Sequence, residues 1–167
     1  MFKEVNGNLW YIKYAINESD TFIEIATTRP ETMLGDTAIA VNPNDKRYKE
    51  LIGKTALLPL VGRSIPIIAD KMVDPEFGTG CVKITPAHDL NDYEVGIKHN
   101  LEMINIMNPD SSISDKAPEK YRGMSREDAR KQIVSDLKDI NHLIKEEDYL
   151  HKVGYSERGN VPIEYYL

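Results

Sequence analysis

The chain has 167 residues, of which 41% are hydrophobic and 29% charged, a composition that excludes both a disordered tail and a membrane protein. No apolar run approaches the roughly 20 residues of a spanning helix, and the opening MFKEVNGNLW reads as lacking a signal-peptide core. A net charge of −6 argues against a free-standing nucleic-acid binder, and the lone Cys81 excludes an internal disulfide framework or multi-cysteine zinc site, so a reducing, cytoplasmic compartment is the default.

In Asn8–Asn17, Trp10, Ile12, Tyr14 and Ile16 alternate with Tyr11, Lys13 and Ala15, the period of a half-buried strand. A turn at Glu18–Asp20 and a second alternating run, Thr21–Thr28, with Ile23 and Ile25 on one face, predict an antiparallel hairpin ended by Pro30. Thr37–Val41 reads as a short strand, Asn42–Asp45 as a turn, and Lys46–Ile52 as a short helix stopped by Gly53. Lys54–Asp70 holds two β-prone runs around Val61-Gly62-Arg63. Pro59 and Pro66 inside those runs predict barrel rims or edges rather than a flat central sheet.

Val82–Thr85 follows Gly78 and Gly80 as a strand, and Asn91–His99 fits a short helix with Asp89 or Asn91 as its cap. Asn108–Ala117 reads as a polar loop. Ser125–Leu143 is the one long helix, with Ser125 and Asp128 in capping-box positions and Ala129, Ile133, Leu137 and Ile140 as its apolar stripe. Val153–Leu167 predicts one more strand or two. The sum is a mainly β fold with peripheral helices, a closed or nearly closed β-barrel forming a single domain over residues 1–167.

Two segments carry chemistry. Ala26–Asp36 (ATTRPETMLGD) sets threonines, Arg29 and carboxylates on a loop leaving a strand, where they could orient a phosphate or ribose. The same residues also suit a polar loop in which Arg29 pairs with Glu31. In Phe77–Asp92 (FGTGCVKITPAHDLND), Lys83 and Thr85 share one strand face, and Asp89 and Asp92 share one face of a helix start. Carboxylates for an ammonium, with a lysine and hydroxyl for oxygens, suit a zwitterionic ligand; capping plus a solvated lysine is the plainer alternative. Gly78-x-Gly80 lacks the rest of a phosphate-binding fingerprint and reads as a tight turn. Cys81 reads as buried and inert, His99, His142 and His151 as structural or surface residues, and Arg126, Arg130 and Lys131 as part of an ordinary solvated helix. His88-Asp89-x-x-Asp92 offers metal-ligand types, which keeps a metal-dependent phosphohydrolase open as a rival.

The runs ATTRPETMLGDTAIAVNP, LPLVGRSIPIIAD and FGTGCVKITPAHDLNDYEVG resemble the editing (connective-peptide) domain of the valyl-tRNA synthetases, over about Ile23 to Tyr165. The isoleucyl branch is the alternative within the family, and a non-catalytic tRNA-end binding module the alternative in function. Gly154–Gly159 stands where some relatives carry a cysteine-rich turn, so no metal is expected, and Met1 and the end at Leu167 suggest a domain excised from a larger synthetase. The resemblance implies hydrolysis of mischarged Thr-tRNA(Val), with no metal or organic cofactor, and water as the nucleophile. The implied partners are the tRNA(Val) 3′ end, its threonine moiety and the remainder of the synthetase, with no membrane. By the same resemblance Asp92 holds the α-amino group. Asp89, Lys83 and Thr85 read the threonine or its ester. Arg29, Thr28 and Thr32 line the terminal adenosine and reacting ester, and Phe77 stacks near the adenine. Asp92, Lys83 and Thr32 are the catalytic candidates among these.

Overall fold

The computed structural model describes residues 2–154. The alternating N-terminal segment forms β1 (Phe2–Ile16), longer than its apolar pattern, which turns at Asn17–Asp20 into β2 (Phe22–Thr27) with the antiparallel register Trp10↔Thr27 to Ala15↔Phe22. The inward set Ile12, Tyr14, Ile16, Ile23 and Ile25 is almost wholly removed from solvent. β3 (Ala38–Val41) is buried on both faces. Ile39 and Val41 join the main core, while Ala38 and Ala40 face a second core with Val73, Ile84 and Val95.

β4 (Thr55–Leu57) and β5 (Ser64–Ala69) form the next hairpin; β5 also runs parallel to β3, which pairs antiparallel with β6 (Cys81–Ile84). The order β2-β1-β4-β5-β3-β6, with β7 (Leu143–Gly154) pairing β1 on the same side as β4, puts Pro66 in a central strand rather than at an edge. It is tolerated because its neighbour Ile67 donates the ladder bond to Lys54 O (2.9 Å), and pairing with β3 starts only at Ile67. Pro59 falls just beyond β4, as a rim residue. The sheet curls until β2 and β6 lie side by side, where Thr79 Oγ1 donates to Glu24 O (2.6 Å). The result is a nearly closed barrel.

The helices depart from expectation at their ends. Lys46–Ile52 yields only a 3-10 turn at Lys49–Leu51, because Asp45 anchors the preceding residues through three-residue turns (Tyr48 N to Asp45 O, 3.2 Å) rather than helical bonds. α1 (Leu90–Lys98) has Asp89, not Asn91, as its cap. α2 (Arg126–Asp139) starts at the Ser125 cap but stops four residues early. Asn141 takes a left-handed φ of 61° and His142 N closes on Leu137 O, so Ile140 is left 46% exposed and Leu143 opens β7. The Asn108–Ala117 loop is less polar than expected, since Ile113 bridges to Met107 and is buried with Ala117. Beyond Gly154, the expected tail strand and the Gly154–Gly159 turn lie outside the described residues. No described helix is long and apolar enough to cross a membrane.

Candidate functional site

The ends of β2 and β6 emerge together at one mouth of the barrel, and each carries one of the chemistry-bearing segments. After β2 the chain makes a buried 3-10 turn, Pro30–Gly35. Pro30 suits its first turn because that N–H needs no partner. Thr27 Oγ1 accepts from Arg29 N (3.0 Å), and Thr32 Oγ1 donates to Arg29 O (3.0 Å). The Arg29 guanidinium then crosses to donate to His88 O (3.0 Å), tying this loop to the second segment. Gly35 is required by packing, since a Cβ there would sit 2.9 Å from Ile104 O.

The pairing of Arg29 with Glu31 is present but long, and it is the weaker of the two that Glu31 makes. Those groups are 4.0 Å apart, whereas Arg130 of α2 grips both oxygens of the fully buried Glu31 at 2.9 and 2.8 Å. Arg130 also lies over the Trp10 ring (5.7 Å), so α2 is not merely a solvated helix. A bidentate guanidinium–carboxylate pair is the geometry that offsets burial of the charge.

Lys83 and Thr85 do share a face of β6, but what they meet is Asp36. Its Oδ1 accepts from Lys83 Nζ (2.8 Å) and Thr85 Oγ1 (2.7 Å), its Oδ2 accepts from Tyr14 Oη (2.6 Å), and Lys83 also donates to Thr85 Oγ1. Asp36 is wholly buried, so desolvation pushes its carboxyl up while the Lys83 charge pulls it back; burial, then the Asp36 charge, raises Tyr14. Lys83 is therefore not a solvated lysine but half of a buried ion pair under the pocket floor.

Past β6, Asp89 Oδ1 caps α1 by accepting from Asp92 N (3.0 Å), and Asp92 Oδ2 accepts from Thr85 N (2.9 Å). Among the described residues no donor reaches Asp92 Oδ1. Burial, and next the neighbouring Asp89 charge, push the Asp92 carboxyl up to about 7. His88 Nε2 accepts from Ile106 N (3.0 Å), which fixes the ring as neutral with its proton on Nδ1; burial, with Arg29 and Lys83 close by, lowers it to about 4. With that nitrogen committed to the backbone, His88 does not join the two aspartates as a ligand set, and no group of three or more such side chains poised for a metal exists among the described residues.

These groups surround a pocket of about 220 Å³. Thr28, Arg29, Thr32, Phe77, Lys83, Thr85, Asp89 and Asp92 all line it, so every residue expected from the sequence is brought to one cavity, joined by Leu9, Val82 and His88. Phe77 is half exposed at the rim, after which Gly78 and Gly80 turn the chain at φ of 57° and 81°. Cys81 is outside the lining, and burial pushes its thiol up to about 11, so it supplies no thiolate. Reading the sequence missed Asp36 and Tyr14. The one signal was a carboxylate directly before the buried run Thr37–Val41, a place where an acid requires a partner.

Residues 50–147 match the family described as the leucyl-tRNA synthetase editing domain. The chain belongs to this family of synthetase editing domains. Among curated proteins it is 58% identical over 162 residues to a valine–tRNA ligase of Nostoc sp. and 56% identical over 165 residues to one of Staphylococcus aureus, covering 97% and 99% of this chain. It spans 16% and 19% of the length of those relatives. The fold is shared with an editing domain solved alone, GlLeuRS-CP1 (TM-score 0.65, 17% identity, 83% of this chain and 99% of that one). It is shared also with the LeuRS of Agrobacterium radiobacter K84 in a ternary complex with tRNA and LeuAMS (TM-score 0.65, 20% identity, 96% of this chain and 24% of that one). Within the family, then, the sequence likeness is to valine–tRNA ligases, while the fold is common to the leucyl editing domains.

Proposed function

We propose that this editing domain hydrolyses the ester of threonine mischarged onto tRNA(Val), in the cytoplasmic compartment where charging takes place. The observation that supports it best is the pocket wall formed by Asp92, whose free oxygen and neighbour Asp89 make a site that lacks only a cation. An α-ammonium supplies that cation and draws the Asp92 carboxyl back to its ionised form. The volume, about 220 Å³, is below the roughly 300–1,000 Å³ of drug-sized ligand sites and suits an amino acid on its ribose.

The need for such a site is physical. An activation pocket for valine cannot strongly reject threonine, which replaces a methyl by a hydroxyl, and valine against threonine is the general example of ~10²-fold discrimination. A second pocket floored by polar groups can prefer the hydroxyl, because valine would leave those groups unpaired. Lys83 has a hydrogen left after its bonds to Asp36 and Thr85, and Arg29 and Thr32 border the same space. With Cys81 outside the pocket, the nucleophile is water. Its oxygen adds to the ester carbonyl, the C–O bond to the ribose breaks, and the ribose oxygen leaves with a proton, yielding free threonine and tRNA. Orientation by the Asp92–ammonium contact, and stabilisation of the developing oxyanion by the cationic groups, are the catalytic terms.

Single-turnover deacylation of Thr-tRNA(Val) by this chain and by Asp92→Ala tests the reading. Loss of cleavage in the variant is expected; undiminished cleavage removes Asp92 from the site, and no cleavage by the parent removes the hydrolytic reading.

A further inference from the structure

We propose that the basic edge of α2 binds the backbone phosphates of the RNA strand whose 3′ end enters the pocket, an inference that rests on the editing reading above. α2 packs directly on the Pro30–Gly35 turn, whose Thr32 lines the pocket, so its edge lies just behind that wall. Although burial chiefly lowers Arg29, with Glu31 opposing, Arg126 and Arg130 lie near enough for their charges to lower it further. From there a groove of about 450 Å³ opens between α2 and the β1–β7 ribbon, lined by Asn8, Trp10, Arg130, Lys131, Lys138 and Glu146.

The charges in that groove are not equivalent. Arg130 is committed to Glu31. Glu146, the groove's one acid, is taken by Asn8 Nδ2 (2.6 Å) and Trp10 Nε1 (2.8 Å). Lys131 and Lys138 are exposed, and among the described residues neither has an acid within salt-bridge distance. Two helical turns separate them, about 10 Å along the axis. In a chain with a net charge of −6, two exposed lysines without an ion-pair partner among the described residues, facing a groove with a single carboxylate, are a local exception. A ligand that enters the pocket as the terminus of a polyanion must lay its preceding phosphates close to the pocket rim, and this edge offers the matching charge.

The test is the exposed double variant Lys131→Ala/Lys138→Ala. The probe is a labelled hairpin RNA carrying no amino acid, with a four-nucleotide single-stranded 3′ end, titrated from 50 to 200 mM salt. The log–log salt slope should shrink by about 1.4, since each single-strand phosphate contributes about 0.7, so binding should weaken about 60-fold at 50 mM salt and about tenfold at 200 mM. Lys131→Arg/Lys138→Arg should retain the parent's behaviour. Hydrolysis of threonyl-adenosine, which has no phosphate, should be unchanged in both variants. Parent-like affinity and slope in the alanine variant overturn the proposal, as does absence of salt-dependent RNA binding by the parent, which would leave the edge to an acidic protein surface. Failure of the parent to cleave threonyl-adenosine sinks the hydrolytic reading instead, while the RNA titration still decides the role of α2.

Discussion

Replacing Asp92 by asparagine should remove activity and yet stabilise the fold, and the gain should depend on pH in a defined way. The carboxyl lies at about 7 in the folded chain against an ordinary 3.8, because it is buried beside Asp89. The folded state therefore holds a proton that the unfolded chain has released, and the stability tied to Asp92 is fully present below about 4 and is lost as pH rises through about 7. At 1.36 kcal/mol per pH unit of displacement, the wild type should lose about 2–3 kcal/mol through this one group between pH 5 and pH 8. Asparagine keeps an oxygen that can accept from Thr85 N and has no charge to bury, so the variant avoids that loss. Urea unfolding of both proteins at pH 5, 6.5 and 8 isolates the effect, because titrations not coupled to Asp92 cancel in the difference. The advantage of Asp92→Asn should grow by that amount from pH 5 to pH 8. A difference independent of pH would refute the picture of a desolvated, unpaired carboxylate waiting for a cation.

Other outcomes follow from the same geometry. Because substrate ammonium requires the ionised Asp92, kcat/KM for deacylation should fall about tenfold per unit below pH 7, and a flat profile from pH 5 to 7 would exclude that requirement. Arg130→Met strands the buried Glu31 with only the distant Arg29, and should cost about 2–4 kcal/mol in urea unfolding; a neutral effect would show that the pair contributes nothing. Gly35→Ala drives a Cβ against Ile104 O and should cost about 1–3 kcal/mol, read from the same assay.

The sequence made the barrel and the site's lining legible to different depths. Period-two alternation in β1 and β2 reports a sheet with one buried face, so the first hairpin could be read directly. β3 is buried on both faces and β7 is an outer strand of mostly charged residues (Lys145–Asp148), so neither has an alternation to detect; β3 is legible from its β-prone residues, whereas residues 144–152, most of β7, fall between the expected helix and the expected tail strand. The end of α2 was missed because Ile140 continues the apolar stripe by one step, while the reversal at Asn141 is a matter of backbone φ. At the site, spacing alone placed Lys83 with Thr85 and Asp89 with Asp92, since those pairs are set by strand and helix geometry. Asp36 meets Lys83 across 47 residues, Tyr14 meets Asp36 across 22, and Arg130 meets Glu31 from a helix 99 residues away. No local pattern encodes a buried ion pair formed at that distance.

The decisive comparison is hydrolysis of threonyl and valyl esters of the same tRNA(Val), measured side by side with this chain. A pocket that prefers the hydroxyl should cleave the threonyl ester at least about 100-fold faster than the valyl ester. Equal rates for the two would contradict it.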